Sequence, residues 1–169
     1  MTFVVNLQRK IKLELVHYKA FIAALSARLD DVSRRRFSVA FVSDRRMKEL
    51  NKFFRGKDST TDVLSFPNKP DAFEPDTDNL GDIVISVEQA QKQAKENGLT
   101  LEGEVKQLIL HGVLHLCGYD HETDAEAAVM EALETRILHS IGVADPYIGT
   151  EPVTVARLQA ASDPGKATP

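Results

Sequence analysis

The hydrophobic and polar positions of this chain change period along its length. Thr2 to Leu7 alternates weakly and is rich in β-formers, which predicts a strand. Leu15, Tyr18, Ile22, Leu25 and Leu29 recur at helical spacing, which predicts an amphipathic helix. Phe37 to Val42 reads as a second strand, and Asp44 to Phe54 as a helix with Asp44 as its N-cap and Gly56 as its stop. Lys57 to Thr61 is a polar loop, and Asp62 to Phe66 a strand stopped by Pro67. Asn68 to Asn79, rich in Pro and Asp, reads as an exposed loop, and Leu80 to Ser86 as the next strand. Ser86 with Gln89 and Thr123 with Glu126 form capping boxes, opening helices to Asn97 and Ser140. Between them Thr100 caps a helix that reaches Cys117 and stops at Gly118.

Strands and helices mix without strict β-α-β alternation, so the expected fold class is α+β. The chain is read as a single catalytic, metal-binding domain over 1–148, followed by a mobile tail over 149–169. Its 169 residues suit one domain, for which about 100–150 is common.

The helix before Gly118 is the unusual element. On a wheel at about 100° per residue, Val105, Leu108, Ile109, Gly112 and Leu116 share one side, and Leu110, Val113 and Leu114 cover most of the rest. Only Glu104, Gln107, His111 and His115 form a polar strip. A helix so apolar is buried, and its polar groups then require partners. His111 and His115 stand four apart and project from one face. Gly118 permits a left-handed turn, and His121 follows it.

The pattern His-x-x-x-His-x-x-Gly-x-x-His occurs in one group of zinc peptidases. Three imidazoles leave a fourth position open, as in a catalytic zinc site. The same donors also suit nickel, copper and iron. Cys117 turns away from the strip and reads as a packed core residue. Asp120 has three readings: orienting an imidazole, accepting a proton, or stabilising the turn. His17 and His139 carry no role.

Those peptidases place a glutamate general base directly after the first histidine. Here that position is Gly112, which cannot take a proton but allows close helix packing. Glu104 and Asp120 are the acids that would have to substitute. This opposes peptidase chemistry and favours a reaction in which a metal acidifies water unaided. Phosphodiester cleavage would also need a cation for the anionic transition state. Arg55, at a helix end before Gly56, suits phosphate, and suits equally a helix C-terminus.

Charge adds one feature. The net charge is −4, yet Asp44 to Lys57 holds six basic residues (Arg45, Arg46, Lys48, Lys52, Arg55, Lys57) against two acidic ones. That stretch reads either as a solvated helix face or as a local polyanion-binding patch. The acids gather instead at Glu122, Asp124, Glu126, Glu131 and Glu134. No apolar run approaches the roughly 20 residues that span a bilayer. The first ten residues lack signal-peptide order, and a single cysteine excludes an internal disulfide, so a cytoplasmic location is expected.

Three segments together resemble one family. His111-Gly-Val-Leu-His-Leu-Cys-Gly-Tyr-Asp-His121 looks like the signature of the YbeY family of bacterial ribosomal-RNA maturation endoribonucleases. Asn51 to Pro67, with Arg55-Gly-Lys-Asp58 and Thr61-Asp-Val-Leu-Ser-Phe-Pro67, is similar, as is Leu80-Gly-Asp-Ile-Val-Ile-Ser86. The likeness is dense from about Met47 to Pro146. Phe54 and Thr60 stand where the family often has tyrosine and proline.

The resemblance implies a metalloprotease-like α+β domain with a short mixed sheet. It implies zinc on His111, His115 and His121, and a functional arginine at Arg55. It implies metal-dependent cleavage of single-stranded RNA in maturation of ribosomal RNA, especially the small-subunit 3′ end, and in ribosome quality control. Expected partners are ribosomal RNA and ribosome or small-subunit assembly components, with no membrane. Water and the RNA 2′-hydroxyl both remain open as nucleophile. The competing readings are a metallopeptidase-like hydrolase and a non-catalytic, metal-stabilised assembly factor.

Overall fold

A computed structural model describes residues 2–73, 78–119 and 123–142. The elements run β1 (Phe3–Asn6), α1 (Leu15–Arg28), α2 (Asp30–Ser33), β2 (Arg36–Val42), α3 (Asp44–Arg55), β3 (Val63–Pro67), β4 (Asn79–Ser86), α4 (Val87–Glu96), α5 (Leu101–Leu116) and α6 (Asp124–Gly142). The expected α+β class is the one observed. The four strands form one mixed sheet in the order β1-β2-β4-β3. β1 and β4 lie parallel to β2, and β3 runs antiparallel to β4 along an edge.

The period-2 alternation of the strands sends side chains to two faces. Phe37, Val39 and Phe41 of β2 and Ile83 and Ile85 of β4 enter the main core. They meet Tyr18, Phe21, Ile22 and Leu25 of α1 and Val105, Ile109, Val113 and Leu114 of α5. On the opposite face a smaller cluster joins Val42 and Leu64 to Met47 of α3, flanked by Leu50, Phe66 and Val84. Thus α5 and α3 lie on opposite faces of the sheet.

Local signals fix most boundaries. The hydroxyls of Ser86 and Thr100 accept from the N–H groups of Gln89 (3.3 Å) and Gly103 (3.0 Å). Thr123 accepts from Glu126 N–H at 3.1 Å. Two expectations are corrected. Ser43, not Asp44, caps α3: Ser43 is extended, and its hydroxyl accepts from Arg46 N–H at 3.2 Å. β3 runs Val63–Pro67 rather than Asp62 to Phe66, so it ends at Pro67 with the proline as its last residue, which an edge strand tolerates. The short α2 was not anticipated.

Asp44, the first helical residue of α3, acts instead as a hub. It accepts from Ser86 Oγ at 3.1 Å, from Gln89 Nε2 at 3.2 Å and from the Thr60 hydroxyl. A proline at position 60 would lack that last donor. The hub joins the starts of α3 and α4 to the loop before β3. No helix among the described residues is long and apolar enough to cross a membrane.

Candidate functional site

α5 is buried nearly all round, as its composition requires. Its strip divides. Gln107 is exposed, Glu104 is buried, and His111 and His115 are partly exposed. One helical turn apart, the two histidine rings lie edge to face with centroids 4.7 Å apart. Their Nε2 atoms are 3.1 Å apart.

His111 is held from behind. Its Nδ1 lies 2.6 Å from Glu134 Oε1 on α6. An ionised carboxylate only accepts, so Nδ1 carries the proton and Nε2 presents its lone pair. Two nitrogens each about 2.0–2.1 Å from a tetrahedral ion stand about 3.3 Å apart, close to the observed spacing. The donor chemistry and the carboxylate-oriented imidazole therefore fit a divalent metal. His121 and Asp120 lie outside the described residues. Among the described residues no group of three potential ligands is gathered.

These histidines form one wall of a cleft of about 740 Å³ at the β3 edge. Arg55, the last residue of α3, and Lys57, in the loop after it, line the same cleft. Gly56 adopts a left-handed conformation (φ 69°) directly between them. Buried Asn51 donates from Nδ2 to the Ser59 carbonyl at 2.8 Å, which fixes the loop that carries Lys57. Thr61, Asp62, Ser65, Gly118 and Tyr119 complete the lining. Gly118 has φ 98°, the turn expected of it.

The other basic candidates stand apart from the cleft. Arg45 and Arg46 face Glu49 at 3.8 and 3.1 Å, and Lys48 faces Asp58 at 3.9 Å. Lys52 is exposed on α3. Cys117 is half-buried against the main core and absent from the cleft lining. Burial pushes its thiol up to about 11, Asp31 adds to the rise and Arg35 opposes it. His17 lies 3.3 Å from Glu102 and does not line the cleft.

Gly112 has a packing reason. A Cβ there would stand 2.9 Å from both Cδ1 and Cγ2 of Ile83 and 3.0 Å from Cγ1. Ile83 is fully buried on the central strand β4, so any side chain at position 112, a glutamate included, would have to displace a core residue. Glu104 is no replacement, since it does not line the cleft. It is 5% exposed, and its Oε2 finds no hydrogen-bond partner among the described residues. Burial raises its carboxyl above the ordinary range, and the charge of Asp62 raises it further.

Sequence reasoning missed Glu134, Asn51 and Tyr119 as site residues. Glu134 was visible only as one of several acids near the C-terminal helix. Nothing in its spacing announces a partner on another helix.

The fold and site define a class: small α+β proteins in which a buried histidine helix faces a cationic loop across a sheet edge. Comparison with known proteins narrows it. The family model described as Endoribonuclease YbeY matches residues 4–142. The chain is 44% identical over 127 residues to Endoribonuclease YbeY of Chelativorans sp. strain BNC1, covering 75% of this chain and 78% of the relative. It is 46% identical over 118 residues to the protein of the same name from Stutzerimonas stutzeri strain A1501, covering 69% and 73%. The solution structure of TM1509 from Thermotoga maritima superimposes with a TM-score of 0.59 at 28% identity, covering 88% of this chain and all of that one. The chain belongs to the Endoribonuclease YbeY family.

Proposed function

We propose that this protein is a metal-dependent endoribonuclease that cleaves single-stranded RNA during ribosomal RNA maturation, including the small-subunit 3′ end. In this reading it also serves ribosome quality control and meets its substrate on ribosomal or small-subunit assembly particles. The observation that carries the reading is one cleft lined by two kinds of group: paired imidazoles whose Nε2 atoms stand 3.1 Å apart, and the cations Arg55 and Lys57. Family membership supports the same activity.

His111, His115 and His121 would hold one divalent ion, Zn²⁺ first among the candidates. Such an ion acidifies water and polarises phosphoryl oxygens. Glu134 keeps His111 in the tautomer that leaves Nε2 available. Arg55 binds the non-bridging oxygens of the scissile phosphate and stabilises the charge that grows there. Lys57 neutralises a neighbouring phosphate. Asp120 is a candidate for orienting an imidazole or moving a proton. Arg45, Arg46, Lys48 and Lys52 extend the positive surface along which the strand approaches. The closeness of Ile83 to Gly112 weighs against the peptidase reading, because that chemistry's general base at position 112 would have to push a buried core side chain aside.

The test incubates metal-loaded protein with a single-stranded small-subunit ribosomal RNA fragment, beside a chelated sample and a His115→Ala variant. Cleavage by the first sample alone is expected. Equal cleavage in all three would sink metal dependence. No cleavage in any, with RNA still bound, would favour a non-catalytic assembly factor.

A further inference from the structure

Two aromatic rings beside the cleft are unexplained by folding. Phe53 is 82% exposed and Phe54 is 56% exposed, at the end of α3. Single exposed apolar residues are ordinary, but these two form one surface. Their rings stand edge to face at 4.8 Å, and Phe54 leans on Phe66 of β3 at 5.0 Å. Phe66 is flanked in sequence by Ser65 and Pro67, and Phe54 by Arg55, and these neighbours all line the cleft. The rings do not line the cleft themselves; their surface lies beside it on the α3 face of the sheet, joined to it through Arg55.

Its charged surroundings indicate what covers it. Lys52, Arg55 and Lys57 are exposed, and none forms an ion pair with a described residue. Arg45, Arg46 and Lys48 on the same helix do face carboxylates. Unpaired cations beside exposed rings match a ligand with negative charge and flat apolar faces in alternation. Single-stranded nucleic acid has that chemistry, and its bases stack on aromatic side chains with little regard to sequence. A duplex hides its base faces within its own stack.

We propose that Phe53 and Phe54 form a stacking platform for unpaired bases next to the scissile phosphate, with Lys52, Arg55 and Lys57 following the backbone. This rests on the ribonuclease reading above and adds to it how single strands are chosen. Phe53 makes the cleaner test, because Phe54 also packs on Phe66.

Binding is measured in a His115→Ala background, which prevents turnover, with the fold checked by circular dichroism. The probes are a labelled single-stranded RNA oligomer and its abasic ribose-phosphate counterpart. The base-bearing strand should bind about 5- to 100-fold more tightly per stacked base. Phe53→Ala should remove most of that difference and leave the abasic strand unchanged. Phe53→Trp should retain it. If Phe53→Ala leaves the affinity for the base-bearing strand intact, or weakens both strands equally, the platform is wrong while the ribonuclease reading stands. If the His115→Ala protein with Phe53 intact binds neither strand, both fall, and the rings are left to a protein partner.

Discussion

Glu134 Oε1 on α6 and His111 Nδ1 on α5 lie 2.6 Å apart across a helix-helix contact. The bond fixes the ring plane and the tautomer of His111, so it preorganises an imidazole whose other nitrogen faces the cleft. Replacing Glu134 by Gln should lower zinc affinity about 10- to 100-fold. Competition against a chromophoric chelator reads this directly. An unchanged affinity would make the contact a packing detail.

Arg55 lines the same cleft as the histidines, without an ion-pair partner among the described residues. Arg55→Ala should reduce RNA cleavage by about 10²–10³-fold, the usual cost of losing one group that stabilises transition-state charge. Metal content, read by elemental analysis, should not change. Arg55→Lys should restore only part of the rate, because an ammonium lacks the planar fork.

Gly112 and Ile83 are tested as a pair. Gly112→Ala should destabilise the fold by about 1–3 kcal/mol through overpacking. Ile83→Ala removes all three close atoms, so the cost of Gly112→Ala should shrink in that background. Denaturant midpoints of the four proteins close the cycle. Additive costs would mean that the helix shifts freely away from β4.

Glu104 gives a stability effect of definite sign. Burial, and then the charge of Asp62, raise its folded pKa above the ordinary 4.5. The unfolded chain therefore loses this proton first as pH rises. Stability falls through the window that opens near 4.5 and ends at the folded pKa, and the penalty then stays constant. Glu104→Gln should melt higher than the parent protein at about pH 7 and should lose that advantage under acid conditions where both forms of Glu104 are protonated. A parallel pH dependence for the two proteins would mean that Glu104 titrates normally.

The legible parts of this chain were local. Tyr18, Ile22 and Leu25 mark a helix face by spacing alone, and Ser86, Thr100 and Thr123 mark helix starts through a bond to the third residue on. The histidine pair was equally plain, because an i, i+4 spacing on a buried helix has one geometric outcome. Partners from distant elements were not legible. Glu134, Asn51 and the Gly112–Ile83 contact depend on how α6, the loop before β3 and β4 come together in three dimensions. Ser43 displaced Asp44 as the cap because two adjacent residues both had the chemistry and only backbone angles decide. The tail over 149–169, with His121 and Asp120, lies outside the described residues.

The cleft sits on a seam. Its histidines come from α5 on one face of the sheet and Arg55 from α3 on the other, and the edge strand β3 contributes to the lining between them. An edge strand has a single hydrogen-bonded neighbour, here β4. Local opening needs less free energy at such a border than in the core between α1, α5 and β2. Warming should therefore part the two walls while most of the fold persists, so that the working geometry has a melting point of its own, below that of the protein around it.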